Sequence, residues 1–202
     1  MHPKVKICGM TDAETIQTAI QHKVDYLGFV FYKKSPRNLT IEKAKQLTNN
    51  IPTNVKRVAV LVNEGNELIE QIKNFFDYFQ LHGDEDLKRI KEIKEKFNKK
   101  IIKAIKITDE KSAKTFSTFE EQVDMLLLDS PAMEKTAKFD WQILTKLKIT
   151  KPYLVAGSIN INNVDEILKY NPSGIDISAG VESSPGIKSN EKIIEFLDKV
   201  KS

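Results

Sequence analysis

The sequence predicts an α/β protein with the (βα)8 or TIM-barrel fold, in which eight parallel strands form a closed sheet. Short apolar runs rich in β-branched residues alternate with longer amphipathic segments, which is typical of parallel strands linked through helices. Most of the strand-like runs are continuously apolar, which indicates burial on both faces of the sheet. Eight such runs in 202 residues give a repeat of about 25 residues, close to the lower limit for a closed barrel.

The expected elements follow one another in a regular order. The apolar runs predict strands over residues 5–8, 26–31, 57–62, 78–81, 101–106, 125–128, 153–156 and 174–178. The amphipathic runs predict helices over residues 13–22, 41–49, 66–76, 86–97, 140–147, 164–169 and 190–200. Residues 109–123 carry only a poor helical pattern, so we expect an irregular fifth crossover. Because no linker or low-complexity tract divides the sequence, we expect one domain over residues 1–202.

A doubly wound open sheet is the alternative fold. It normally has roughly five to seven strands and a glycine-rich G-x-G-x-x-G turn after the first strand. Here Cys8-Gly9-Met10-Thr11 follows the first predicted strand and lacks that pattern. The closed barrel is therefore favoured.

Composition restricts the possible partners and compartment. The net charge of +4 comes mainly from lysines interleaved with glutamates, which indicates solvated helix faces and not a nucleic-acid-binding stripe. The first residues lack the apolar core of a secretory signal, and no apolar run is long enough to span a bilayer. The single cysteine rules out an internal disulfide. We therefore expect a cytoplasmic protein with neither a membrane nor a nucleic-acid partner.

Polar and reactive side chains recur at the C-terminal ends of the predicted strands. In a (βα)8 barrel these ends converge on one mouth, where active sites are built. The residues at or just beyond them are Cys8, Arg37, Asn63, His82, Lys106, Asp129, Gly157, Ser158, Ser178, Ala179 and Gly180. The recurrence predicts an enzyme more strongly than any single member does.

Several of these residues also have an ordinary structural explanation. A lone cysteine is usually a small core residue, and Asp129 starts an Asp-Ser-Pro sequence that makes a good turn. His82 either closes its strand as a satisfied polar residue or faces a ligand. The glycines near the last two strands either form tight turns or offer N–H groups to a phosphate, and residues 183–186 are a candidate start for a phosphate-binding turn. The sequence shows no metal-ligand spacing, so we expect no metal.

Seven further motifs occur in order along the chain. They are KICGMT (6–11), GFVF (28–31) with SPR (35–37), RVAVLVN (57–63), QLHGDE (80–85), LLDS (127–130), FDW (139–141) and DISAGVES (176–183). Together they resemble the phosphoribosylanthranilate isomerase family, and the resemblance covers essentially the whole chain. It implies a cofactor-independent Amadori rearrangement in tryptophan biosynthesis, an aldose–ketose isomerisation that acts on N-(5-phosphoribosyl)anthranilate.

The resemblance also implies roles for individual residues. Asp129 would protonate the furanose ring oxygen, and Cys8 would remove the C2 proton as a thiolate. Arg37 would face the anthranilate carboxylate, and His82 would line the pocket. The phosphate would be held by Gly157, Ser158, Ala179 and Gly180. The other implied substrate-binding residues are Arg37, His82, Asp176 and Ser178. A thiolate needs positive surroundings, and the helix that begins after Asp12 is a candidate source.

Two departures from the family pattern lie beside these residues. Residues 132–138 contain no glycine, whereas the family usually has a glycine-rich loop there. Ser158 stands where a second glycine is common. Neither change removes a catalytic group, and the first falls in the loop that the resemblance places over the substrate.

Three rival functions remain open from the residues alone. Indole-3-glycerol phosphate synthase would need a strand-end lysine, for which Lys6 and Lys106 are candidates. An aminoimidazole carboxamide ribotide isomerase would carry an aspartate in place of Cys8. A non-catalytic phosphometabolite-binding barrel would not need both Cys8 and Asp129. In each case the partner is a small phosphorylated molecule, and we expect a monomer or a homodimer.

Overall fold

The computed structural model describes residues 3–130 and 141–201. Within these residues, eight parallel strands pair in chain order and the last closes onto the first. The strands are β1 (Lys4–Cys8), β2 (Tyr26–Phe31), β3 (Lys56–Leu61), β4 (Tyr78–Leu81), β5 (Lys100–Lys106), β6 (Met125–Asp129), β7 (Tyr153–Ala156) and β8 (Gly174–Ile177). The predicted (βα)8 barrel is confirmed, with strand bounds that differ by about one residue.

The strands are apolar because both faces of the sheet are covered. Side chains that point into the barrel, such as Tyr26, Val58 and Leu127, form one buried cluster. Their neighbours along the strands, such as Ala59 and Leu126, point outward into a larger buried cluster beneath the helices. This alternation follows from the two-residue repeat of a strand. It leaves the C-terminal rim as the place where polar side chains can meet.

Helices follow the strands on the outside of the barrel. They are α1 (Ala13–Gln21), α2 (Ile41–Thr48), α3 (Asn66–Ile72), α4 (Leu87–Phe97), α5 (Glu110–Ala113), α6 (Phe116–Phe119), α7 (Val164–Leu168) and α8 (Asn190–Lys201). Asp12, Thr40 and Asp86 precede α1, α2 and α4, and their side chains accept hydrogen bonds from backbone N–H groups of the first turn. These caps explain where the three helices begin. No helix among the described residues is long and apolar enough to cross a membrane.

The fifth crossover is irregular, as predicted, because α5 and α6 are single turns followed by a 3₁₀ helix over Glu120–Gln122. Two other predicted helices were wrong in length or type. The helix expected over 66–76 ends at Ile72 and tightens into a 3₁₀ turn. The described part of the one expected over 140–147 is a 3₁₀ helix, in which the buried Trp141 and Leu144 are three residues apart, the repeat of that helix.

The connection from β8 to α8 is a short helix and a hairpin. A 3₁₀ helix over Ala179–Val181 is followed by β9 (Glu182–Ser184) and β10 (Ile187–Lys188), which pair antiparallel. The turn expected over residues 183–186 is therefore the hairpin turn, and it is the preceding 3₁₀ helix that lies at the barrel mouth. Gly186 has a φ of 85°, and a Cβ there would lie 2.8 Å from the Pro36 carbonyl oxygen. The hairpin thus packs closely on the loop after β2.

Candidate active site

A cavity of about 600 Å³ opens at the C-terminal ends of the barrel strands. Parallel strands end at the same rim, so residues far apart in sequence meet there. The predicted site residues that line the cavity are Cys8, Arg37, His82, Asp129, Gly157, Ser158, Asp176, Ser178, Ala179 and Gly180. The structure therefore brings the ten predicted catalytic and substrate-binding residues together. The glycine-free loop over 132–138 and the first two residues of the FDW motif lie outside the described residues.

Cys8 ends β1, and contacts from neighbouring strands hold its turn. Strand pairing aligns it with Gly28, whose carbonyl accepts a 2.9 Å hydrogen bond from the Gly9 N–H. The Ser178 hydroxyl donates to the Cys8 carbonyl at 3.0 Å. Gly9 has a φ of 81°, and a Cβ there would lie 2.2 Å from Cδ of Arg37. Glycine therefore lets the Arg37 side chain pass directly over the turn that carries Cys8.

Beneath Cys8, Lys6 and Asp176 form an ion pair inside the barrel. The two residues are register partners on β1 and β8, and Nζ of Lys6 lies 2.8 Å from Oδ2 of Asp176. Their side chains are 0% and 6% exposed. Burial alone would lower the pKa of Lys6, but Asp176 and Cys8 raise it above its ordinary value. Removing one partner of such a pair leaves an uncompensated buried charge, which costs about 3–5 kcal/mol.

The surroundings of the Cys8 thiol act on its pKa in opposite directions. Burial raises the pKa above its ordinary value and the Asp176 carboxylate adds to this, whereas Lys6 and Lys188 lower it. The start of α1, our candidate source of positive field, is occupied by the Asp12 carboxylate, which accepts a 2.9 Å hydrogen bond from a backbone N–H. The cations that oppose burial are therefore lysines of β1 and β10.

Asp129 ends β6 and contacts His82, which follows β4. Inward side chains at one height of a barrel come from alternate strands, which explains how two residues 47 positions apart meet. Nε2 of His82 lies 3.1 Å from Oδ2 of Asp129, and Nδ1 lies 3.0 Å from the Gln80 side-chain amide nitrogen. With the amide in this orientation, Gln80 donates to Nδ1, so the proton on Nε2 donates to the Asp129 carboxylate.

Arg37 reaches the cavity from the loop after β2, and Glu182 holds its guanidinium. The Nε–H and Nη2–H groups of Arg37 donate to the two carboxylate oxygens of Glu182, each at 2.6 Å. Burial alone would raise the pKa of Glu182, but hydrogen bonds from Arg37 and Lys188 lower it to about 2. The bidentate pair orients the planar guanidinium and leaves its Nη1 group for a ligand carboxylate.

Lys188 forms a second buried cation next to this pair. Its side chain is fully buried, and Nζ donates to Glu182 at 2.8 Å and to the Ser178 carbonyl at 3.1 Å. Burial lowers the pKa of Lys188 below its ordinary value, although Glu182 acts in the opposite direction. Glu182 thus ties Arg37 and β10 together at the rim.

The ends of β7 and β8 supply closely packed backbone. Gly157 and Ser158 have φ values of 99° and 49°. A Cβ on Gly157 would lie 2.0 Å from Oγ of Ser130, and one on Gly180 would lie 2.2 Å from the Ile159 carbonyl oxygen. The 3₁₀ helix over Ala179–Val181 begins at this rim. This arrangement of glycines and a helix start is the type that binds phosphate after the last two strands of a barrel.

Two predicted strand-end residues lie outside the cavity. Asn63 accepts a 2.8 Å hydrogen bond from the backbone N–H of Asp84, and Lys106 is an exposed residue at the end of β5. Sequence reasoning in turn missed the functions of Glu182, Lys188 and Gln80, and it considered Lys6 only for a rival enzyme. A lysine within an apolar strand was the available signal for Lys6. Among the described residues, no group of three or more His, Cys, Asp or Glu side chains is arranged to hold a metal ion.

Comparisons with known proteins agree with this geometry. The family model for N-(5'-phosphoribosyl)anthranilate (PRA) isomerase matches residues 5–199. An N-(5'-phosphoribosyl)anthranilate isomerase of Zymomonas mobilis is 37% identical over 209 residues, which cover 100% of this chain and 99% of that protein. The crystal structure of a phosphoribosyl anthranilate isomerase in complex with reduced 1-(o-carboxyphenylamino)-1-deoxyribulose 5-phosphate is 32% identical, with a TM-score of 0.88 and 98% of each chain covered.

A further similar structure contains monomers generated from the dimeric phosphoribosylanthranilate isomerase of Thermotoga maritima. It is 30% identical, with a TM-score of 0.88 and 98% of each chain covered. The family match extends over nearly the full length, and identity exceeds 30% over the whole of a related protein. This chain therefore belongs to the N-(5'-phosphoribosyl)anthranilate isomerase family.

Proposed function

We propose that this chain isomerises N-(5-phosphoribosyl)anthranilate to 1-(2-carboxyphenylamino)-1-deoxyribulose 5-phosphate in tryptophan biosynthesis, with Asp129 as general acid and Cys8 as general base. The observation that carries the proposal is that Cys8 and Asp129 end β1 and β6 at one cavity. Substrate and product are isomers, so the reaction needs proton transfers and no net gain or loss of electrons.

Ring opening is the first step, and it requires an acid. Asp129 donates a proton to the furanose ring oxygen, the bond from C1 to that oxygen breaks, and the anilino nitrogen lone pair forms the C1=N bond of a Schiff base.

His82 contacts the Asp129 carboxyl group. When the Gln80 amide is turned by 180°, its oxygen accepts the Nδ1 proton of His82, and Nε2 then accepts a hydrogen bond from a protonated Asp129. Oε1 of Gln80 is buried and lacks a hydrogen-bond partner among the described residues, so the present orientation leaves that oxygen unsatisfied.

Deprotonation at C2 is the second step, and it requires a base. The Cys8 thiolate takes the C2 proton, the C–H electron pair forms the C1=C2 bond, and the C1=N electrons return to nitrogen. The resulting enolamine carries the hydroxyl on C2. Tautomerisation moves that proton to C1 and yields the ketone. An acid and a base fixed around one cavity can therefore complete the rearrangement without releasing an intermediate.

Three further groups match the rest of the substrate. The Nη1 group of Arg37 remains for the anthranilate carboxylate, because Glu182 binds Nε and Nη2. Oδ1 of Asp176 is buried at the cavity without a hydrogen-bond partner among the described residues, and it suits a ribose hydroxyl. The backbone at Gly157, Ser158, Ala179 and Gly180, with Ser178 beside it, suits the phosphate.

The test of this function is conversion of phosphoribosylanthranilate by the purified protein in the presence of EDTA. We expect the fluorescence of the anthranilate group to fall at a rate proportional to protein concentration, with no release of CO₂. A preparation of the Cys8→Ala/Asp129→Asn double variant is the matched control and should show no such change. An inactive wild-type protein would refute the proposed function, and CO₂ release from added 1-(2-carboxyphenylamino)-1-deoxyribulose 5-phosphate would indicate a synthase.

Replacing Arg37 with lysine should weaken substrate binding more than it slows the chemical step. Lysine keeps the positive charge but loses the planar fork that Glu182 orients. We expect KM to rise about 10- to 100-fold, equivalent to loss of hydrogen bonds to a charged group worth about 1.5–3 kcal/mol, and kcat to change less. Steady-state kinetics measure both constants.

Arg57→Lys is the matched control for this substitution. Nε and Nη2 of Arg57 donate to the Asp77 carboxylate, as those of Arg37 donate to Glu182, but this pair lies at the N-terminal end of β3, away from the cavity. We expect its KM to equal that of the wild type. An equal KM in the Arg37 variant would show that the guanidinium does not bind the substrate.

We also propose that residues 1–202 form a single catalytic domain that acts in the cytoplasm as a monomer or homodimer. One contiguous barrel containing every proposed site residue supports the single domain. The similar Thermotoga maritima protein is described both as a dimer and as monomers derived from it, which supports either state. Cys8 is a free thiol, as expected in a reducing compartment.

A further inference from the structure

Lys6 is an unusual residue for the interior of a barrel. Its side chain is fully buried, and it is among the largest fully buried side chains of the described residues. A buried ammonium is costly unless its hydrogen bonds and charge are compensated. Asp176 compensates it from β8 through one carboxylate oxygen, at 2.8 Å. This pair explains why the charge is tolerated there, but a pair of apolar residues would fill the same space at lower cost.

The geometry around Gly28 shows what else Lys6 contacts. Lys6 and Cys8 are two residues apart on β1 and share its inward face. Gly28 stands opposite Cys8 on β2, and a Cβ on it would lie 3.0 Å from Sγ of Cys8 and 3.1 Å from Nζ of Lys6. The thiol and the ammonium therefore both border the same small space. Because both distances are shorter than ordinary carbon contacts, any side chain at position 28 would displace one or both groups.

The other cations near Cys8 are already engaged by other partners. Lys188 donates to Glu182 and to Ser178, and the Arg37 guanidinium is held by Glu182. Lys6 also has a carboxylate partner, Asp176, but its Nζ borders the same space as the thiol. Of the charged groups that act on Cys8, Lys6 lowers the pKa of the thiol most, Lys188 acts in the same direction, and Asp176 opposes both.

We propose that Lys6 is a positioning residue for the rearrangement, whose ammonium stabilises the Cys8 thiolate from inside the barrel while Asp176 holds that ammonium in place. The inference rests on the proposed function only in taking Cys8 as the base. One requirement then explains three features, namely a buried lysine on β1, an acidic partner on β8 and a glycine on β2. That requirement is a negatively charged sulfur at the wall of the cavity.

The test uses the fact that Cys8 is the only cysteine in the chain. The rate of alkylation by iodoacetamide, measured from pH 6 to pH 11 without substrate, reports the thiolate fraction of this one residue. We expect Lys6→Met, which keeps length and removes charge, to raise the pKa of the thiol by about 1–3 units. At a fixed pH below both pKa values, alkylation should slow by the corresponding factor of about 10 to 1,000. An unchanged pKa would overturn the proposal.

Two further variants keep the test decisive. Lys4→Met removes an exposed lysine from the same strand, which pairs with Asp25 at the opposite end of the barrel, and it should leave the thiol pKa unchanged. Lys6→Met/Asp176→Asn removes both charges together, so it avoids an unpaired buried carboxylate if the single variant does not fold. In the double variant we expect a rise in the thiol pKa that is smaller than in Lys6→Met, because the opposing carboxylate is also lost. A thiol pKa at or below the wild-type value there would overturn the proposal.

Alkylation needs no turnover, so the outcome is independent of the proposed function. An inactive wild-type protein whose thiol pKa nevertheless depends on Lys6 would refute the function and leave the role of Lys6 intact. An active wild-type protein whose thiol pKa is the same in Lys6→Met would refute the role of Lys6 alone.

Discussion

Replacing Cys8 with alanine is expected to lower kcat by about 10²- to 10⁴-fold, the usual contribution of a general base. Without the thiolate, water has to remove the C2 proton of the Schiff base, and the wild-type geometry for that transfer is lost. The effect should fall on kcat and not on KM, because the thiol makes no proposed contact with the carboxylate or the phosphate of the substrate. Steady-state kinetics with the anthranilate fluorescence assay measure this loss.

The pH dependence distinguishes a base from a merely structural cysteine. Burial raises the pKa of the Cys8 thiol above its ordinary value, so the thiol form predominates at neutral pH. The active thiolate fraction then grows about tenfold per pH unit on the acid side of this pKa, and wild-type kcat/KM should rise with it wherever the general acid still carries its proton. The Cys8→Ala variant should lose that rise. A variant that keeps both the wild-type rate and the wild-type pH profile would rule out Cys8 as the base.

Replacing Asp129 with asparagine is expected to produce a loss of similar size, about 10²- to 10⁴-fold in kcat. Asparagine keeps the shape and can still contact His82, but it cannot donate a proton to the ring oxygen. Ring opening then becomes the slow step. We expect the variant to bind the reduced product 1-(2-carboxyphenylamino)-1-deoxyribulose 5-phosphate as the wild type does, because that molecule requires no proton transfer. Calorimetric titration of both proteins measures this binding.

Asp198→Asn is the control for this substitution. Asp198 also pairs with a histidine, His22, at 2.6 Å, but it lies on the exposed surface of α8. Its loss should leave kcat unchanged. Full activity in Asp129→Asn would show that another group is the general acid. Loss of ligand binding together with activity would show that Asp129 binds the ligand and does not transfer the proton.

The fold was predictable because its determinants are local. Continuous apolar runs such as residues 125–128 report burial on both faces of a strand, and caps such as Asp12 mark where helices begin. The errors also have local causes. The segment after Phe139-Asp140 carries buried residues at a spacing of three, and a spacing of three is shared by 3₁₀ and α-helices, so the sequence does not separate the two.

The positions of the site residues were predictable for the same reason. A residue that follows an apolar strand lies at the rim of the barrel, so Cys8, His82 and Asp129 could be placed at the mouth from their order alone. The roles of these residues came from the resemblance to a family and not from their placement. Position along a strand says where a side chain is, but it does not say which other side chains it contacts.

By itself, therefore, the sequence determined the barrel, the rim and ten of the residues that line the cavity. Only the tertiary structure decided their partners, because these contacts cross 47 to 170 positions of the chain. The closure of β8 onto β1 pairs Lys6 with Asp176, and the hairpin after β8 brings Glu182 to Arg37. The position of Cys8 at the end of the first strand follows from the sequence. The charged groups that stabilise its thiolate are brought to it by strand register and burial, which no local pattern encodes.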